Sequence, residues 1–276
     1  MPKKGPKKKS KKSVRRRSWN PEEYASKMAP IVARMVGLDI LGLSDEQMEA
    51  LLKDILIQII GDRVTKPKPE TLVNAIRRGQ DKIYSIIASR LLDSMDPSSI
   101  TPDQFEFILS YIGPFVIEYI DKLIDISKRL DPSRIDEIRH LWELAWSQRN
   151  GGPIGTCPRC GFKAVGPDGT CIVCGYVLSD KELKNSVDFE VKLNSFIQEA
   201  SCEDLKRILN NPILYVNDYS VTITRTSPWD VEIHLNKDEL EKVRTEYVKR
   251  CEKRRRETLA IQKSEDEIIK EIISKL

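Results

Sequence analysis

Four cysteines restrict this chain more than any other feature. They stand as Cys157-x-x-Cys160 and Cys171-x-x-Cys174 with ten residues between the pairs. A CxxC unit places two thiolates on one face of a tight turn, and Gly161 or Gly175 after each lets the backbone fold back beneath them. Gly166-Pro167-Asp168-Gly169 is a turn signal between the pairs. The two turns can therefore face each other and complete a tetrahedral four-sulfur site for one Zn²⁺, or for iron in a rubredoxin-like arrangement. Four protein ligands leave no open position for water or substrate, so the expected role is structural. Cys202 and Cys251 lie singly on expected helices and read as ordinary half-buried residues.

Residues 155–178, with Cys157–Gly161 and Cys171–Gly175 as repeated CPxCG-type knuckles, resemble a short zinc ribbon. The second knuckle departs from the pattern, with Ile172 in place of proline. The resemblance implies metal binding. It implies little about function, because zinc ribbons serve DNA, RNA and protein contacts alike.

The rest of the 276 residues reads as mainly helical. Asn20-Pro21-Glu22-Glu23 starts a helix with Met28, Ile31, Val32 and Met35 on its apolar face and Pro30 as a kink. Ser44-Asp45-Glu46-Gln47 is a capping box, followed by Met48, Leu51, Leu52, Ile55, Leu56, Ile59 and Ile60 at helical spacing and by Gly61 as the stop. A third helix is expected over 69–95. A fourth runs from the Thr101 cap to about Leu130 with a kink at Gly113-Pro114, and a fifth runs over 131–149. These make a helical domain over 19–149, followed by the four-cysteine ribbon over 150–178.

Over 179–236, a helix capped by Ser179 and reaching Ala200 precedes a short one capped by Ser201. Ile213–Val216, Tyr219–Thr224 and Val231–Leu235 then alternate like strands and suggest a three-stranded meander. Asn236 caps a long C-terminal helix over 237–276. Its last apolar face comprises Ile261, Ile268, Ile269, Ile272, Ile273 and Leu276, fit to dock on the body or pair with another chain.

Charge is unevenly distributed. The chain holds 46 Lys and Arg against 42 Asp and Glu. Lys3, Lys4, Lys7, Lys8, Lys9, Lys11, Lys12, Arg15, Arg16 and Arg17 form a +10 arm without an acid, and 36 bases against 42 acids remain in the body. An arm of this composition, residues 1–18, cannot build a core and is expected to be disordered in isolation. It suits phosphate binding by counterion release, supplying affinity without sequence reading. A second basic run holds Lys249, Arg250, Lys253, Arg254, Arg255 and Arg256, where Glu246–Arg250 and Glu252–Arg256 can pair at i,i+4. Arg159 and Lys163 beside Phe162 and Tyr176 suggest a small cation-and-aromatic surface.

No nucleotide-binding glycine loop, HExxH or nucleophile elbow is present, and two histidines leave little for general acid–base work. A remote reading is a metal-dependent nuclease using Asp218 and Glu232 on adjacent strands, with His234 where a lysine would be expected. The longest apolar run, Phe107–Ile117, has 11 residues, while a membrane span needs about 20. The leading expectation is a soluble, cytoplasmic, non-enzymatic nucleic-acid-associated protein, with RNA or a ribonucleoprotein favoured over DNA; nucleoid or ribosome association fits, as would a nuclear location in a eukaryote. The alternative is a protein–protein adaptor of a larger complex that binds through the terminal helix.

Overall fold

The computed structural model describes residues 19–149 and 151–252. The basic arm lies outside them. So do Lys253, Arg254 and Arg256, the Glu252–Arg256 pairing and the terminal apolar face. The chain divides into two compact units, Met1–Leu141 and Trp142–Leu276.

The first unit is helical throughout its described residues. Helix α1 (Pro21–Met35) starts at Asn20, whose side chain accepts from the Glu22 amide. Helix α2 (Asp45–Ile60) packs along it and starts with the expected Ser44–Gln47 capping box. The expected third helix is two, α3 (Pro69–Arg78) and α4 (Gln80–Ser94), divided at Gly79. The fourth is also two. Helix α5 (Pro102–Tyr111) ends before a 3-10 turn at Gly113–Phe115, and α6 (Val116–Leu130) follows. The Gly113-Pro114 signal marks a break rather than a kink. Proline donates no amide and excludes the helical carbonyl four residues back.

The core of this unit holds Val32, Leu52, Leu56, Leu72, Ile76, Ile87, Leu92, Ile108 and Leu123, all almost fully buried. Gln104 is buried among them and satisfied at both ends: its Nε2 donates to the Leu41 carbonyl (2.8 Å) and its Oε1 accepts from the Thr101 amide (3.0 Å). Helix α7 (Ile135–Ser147) carries the chain across the unit boundary.

The second unit opens with the cysteine segment, which carries the short strands β1 (Gly155–Thr156) and β2 (Lys163–Val165). The helix expected over 179–200 is divided into α8 (Asp180–Ser186) and α9 (Phe189–Glu199) at Asp188, the one non-glycine residue with positive φ among the described residues. Helix α10 (Cys202–Asn210) follows, then β3 (Ile213–Val216), β4 (Val221–Thr222), β5 (Val231–His234) and α11 (Lys237–Tyr247). The sheet is antiparallel, but its order is β4-β3-β5 and not that of a meander. Strand β3 pairs over four positions with β5 and over two with β4. Leu214, Val216, Val231 and Ile233 face a core shared with Phe189, Leu193, Leu205, Ile208 and Val243.

Helix α11 passes into a π-helical turn, Val248–Glu252, and the rest of the helix expected over 237–276 lies outside the described residues. Within that turn Cys251 is joined to Cys202 by a disulfide. The expectation of two ordinary cysteines is therefore corrected. Spacing along the sequence, with the two 49 positions apart, gives no hint of a pair that only the packing of α10 against α11 brings together.

Candidate metal centre

The two CxxC segments fold into turns of the same kind. In the first, the Gly161 amide donates to the Cys157 carbonyl (2.9 Å) and the Cys157 amide to the Phe162 carbonyl (2.9 Å). In the second, Gly175 donates to Cys171 (2.9 Å) and Cys171 to Tyr176 (2.8 Å). Both glycines have left-handed backbones, φ +74° and +66°, which is why glycine stands at each. Thr156 pairs with Lys163 beside the first turn, and Thr170 pairs with Val177 at the same offset beside the second.

The four sulfurs converge. Cys157 Sγ lies 3.8 Å from Cys174 Sγ and Cys160 Sγ lies 3.6 Å from Cys171 Sγ. All four lie within 4.8 Å of one another. Metal–sulfur bonds of about 2.3 Å in a tetrahedron require sulfurs about 3.8 Å apart. The donor set and its spacing thus fit one thiophilic ion. Among the described residues no His or carboxylate joins this cluster. Burial pushes the Cys171 thiol up to about 11 and raises Cys160 as well. Burial acts the same way on Cys174, but the Tyr176 amide and the neighbouring thiols outweigh it and hold that thiol below its usual value.

Each turn is anchored by its following aromatic residue. Phe162 is buried and meets Trp142 edge-on, with ring centroids 6.1 Å apart. Trp142 Nε1 donates to the Lys163 carbonyl (3.0 Å), which seats the first turn on the end of α7. Tyr176 donates to Glu182 Oε1 (2.9 Å), and Glu182 closes the capping box with Ser179 at the start of α8. Gly155 lies so close to α8 that an added Cβ would stand 2.7 Å from Ser186 Oγ. The cysteine segment is thus fastened at both turns within its unit.

The structure distributes the other candidate residues differently from the sequence expectation. Phe162 is a core side chain and no part of a surface. Arg159 lies over the Tyr176 ring, 5.9 Å from its centroid. Lys163 pairs with Asp218 at 2.7 Å. Arg250 Nε lies 3.1 Å from Glu246, as the i,i+4 spacing suggested, and its outer nitrogens donate to the carbonyls of Ile197, Gln198 and Ala200 at 2.8–3.1 Å. Lys249 is exposed.

The strand order also bears on the remote nuclease constellation. Asp218 sits in the β3–β4 turn. Glu232 sits on β5, across the central strand from β4, within 3.4 Å of His234 and 4.0 Å of Arg225. The adjacent-strand placement assumed for the two carboxylates is not the one observed.

No protein-family model, curated protein or solved structure matches the chain. Among the described residues no helix is long and apolar enough to cross a membrane.

Proposed function

We propose that this chain is a zinc-stabilised, non-enzymatic nucleic-acid-associated protein that holds RNA, in preference to DNA, through its basic arm. The observation that carries the metal part is the convergence of four thiols from two matching turns. A closed tetrathiolate supplies cohesion to a segment too short for its own core, and no ligand position is left for chemistry. The residues that would hold the ion are Cys157, Cys160, Cys171 and Cys174. Zinc is preferred to iron because structural four-cysteine sites of this size most often hold it.

The nucleic-acid part is supported by the ten cations of the arm and the exposed Lys249. Lys163, Arg159 and Arg250 already have partners within the fold, and Lys249 has an exposed pairing with Glu246 at 3.5 Å. The arm therefore carries most of the binding in this reading, and binding is strongly salt-dependent and weakly sequence-dependent.

The test uses the full-length chain. Elemental analysis is expected to give one zinc per chain, with four thiols protected from alkylation until the metal is removed. Binding to a single-stranded RNA and to a DNA duplex is then followed against salt. Five arm–phosphate contacts give a log–log slope of about −3.5 for single strands and about −4.5 for duplex DNA. Deleting residues 1–18 is expected to flatten that slope while zinc content stays unchanged. Retained affinity and slope after deletion would overturn the role of the arm. Protein partners that persist after nuclease treatment would favour the adaptor instead. A coloured, iron-loaded protein would overturn the choice of metal alone.

A further inference from the structure

The cysteines of the second unit fall into two chemical sets. Four converge as thiols, while Cys202 and Cys251 are bonded to each other. The bond joins the first residue of α10 to the π-helical turn after α11. A π turn closes i→i+5 bonds and so carries one residue more than an α turn, which rotates the positions that follow. Cys251 is thereby directed to Cys202. Arg250 beside it reaches carbonyls at the end of α9, those of Ile197, Gln198 and the capping residue Ala200, which no helical amide can satisfy.

Lys249 pairs with Glu246, one turn back in the same helical run, at 3.5 Å. Val248 is 45% exposed and Lys249 is exposed; Tyr247 and Cys251 are only partly buried against the core. The sulfur of Cys202 belongs to an exposed residue. Exposed disulfides are the labile and regulatory ones, whereas structural disulfides resist reduction.

We propose that Cys202–Cys251 is a reversible latch, opened by a dithiol reductant, that seats or releases the Val248–Glu252 turn and the start of the basic run within it. One thiolate of the reductant attacks Cys202 Sγ, forming a mixed disulfide; the Cys202–Cys251 bond breaks and Cys251 leaves as a thiolate that takes up a proton. The second thiol of the reductant then displaces Cys202 and leaves as a disulfide. Two electrons and two protons pass to the protein. A disulfide of the same class takes them back when the latch closes. Once open, the turn loses its covalent tie to α10 and keeps its non-covalent contacts, among them those of Arg250 with α9 and of Lys249 with Glu246.

The experiment uses full-length, zinc-loaded protein in buffered excess zinc, with and without dithiothreitol. Alkylation of samples denatured and chelated after the treatment, followed by mass measurement, is expected to show four thiols plus one bond before reduction and six thiols after. Amides of Val248–Glu252 are expected to exchange at least ~10-fold faster after reduction, while those of Leu214–Val216 are unchanged. The Cys202→Ser variant should exchange like the reduced protein with or without the dithiol, and Cys251→Ser should match it. Equal exchange at 248–252 in both states would overturn the latch, as would loosening that spreads equally to Leu214–Val216. A chain that oxidises without joining these two residues would overturn it as well.

Discussion

Ile172 shows what single positions contribute. It stands where the first turn has Pro158, so it looks like a departure from the knuckle pattern. Its amide donates to the Ala164 carbonyl at 2.9 Å, a bond that proline cannot make. Ile172→Pro, which would perfect the sequence motif, is therefore expected to lower stability by about 1–3 kcal/mol, read as a shift in urea midpoint at unchanged zinc content. Acid stability belongs to this scale too. Asp96 and Asp131 each cap a 3-10 turn, and hydrogen bonds from the Ser98 and Ser133 side chains, with amides of the same residues, hold their carboxyls below the usual range. A depressed pKa contributes stability that is full above the ordinary carboxylate range and is lost as pH falls through the folded value. Asparagine caps as well as aspartate and does not titrate there. The Asp96→Asn, Asp131→Asn double variant should match the parent at neutral pH and show a shallower loss of stability below pH ~4, measured by chemical unfolding across the acid range.

Elements show why some of the fold was legible and some was not. Helix starts were readable because the cap is local chemistry. Ser44, Thr101, Ser179, Ser201 and Asn236 all bond the amide three residues on. Interior breaks were not. An isolated glycine costs a helix only about 1 kcal/mol, so Gly79 does not announce a division while the apolar stripe continues through it. Asp188 is harder still: aspartate tolerates a left-handed backbone better than most residues but adopts it rarely, so its identity alone does not mark the break. The strand order was hidden for a related reason. Adjacent strands and short links are compatible with a meander, but β4 offers β3 two pairing positions and β5 offers four. Both flank β3, whose two edges each take one partner. The thiol cluster was legible because its spacing is local, and the disulfide was not because it depends on the α10–α11 contact. Helix α9 carries a prediction of its own. Arg250→Ala strips three carbonyls at its end of a charged donor and is expected to cost about 1.5–3 kcal/mol in equilibrium unfolding. Arg250→Lys should recover only part, because a point ammonium cannot reproduce the guanidinium fork.

For the whole molecule, the second unit holds one disulfide and, in the function proposed above, a zinc ion on its four thiols as a second fastener. Closing a loop of 49 residues with a disulfide contributes about 4 kcal/mol by restricting the unfolded chain. Structural zinc contributes apparent binding energies of about 10–16 kcal/mol at neutral pH in small domains. Both compare with the total stability of an ordinary protein, about 5–15 kcal/mol. Removing zinc with a strong chelator is accordingly expected to shift tryptophan emission to the red, as Trp142 loses Phe162. Amide exchange across 157–178 should rise before that of 213–216. Because the thiols must give up their protons to bind, the same loss should set in as pH is lowered. The small sheet has a further consequence, for crowding. Its two outer strands have only two and four residues, and Glu232 and His234 lie on the longer one. So short and polar an edge is a poor template for a neighbour's backbone. Molecules of this chain driven together at high concentration should therefore seed no cross-β fibres from this sheet, even where the latch is open.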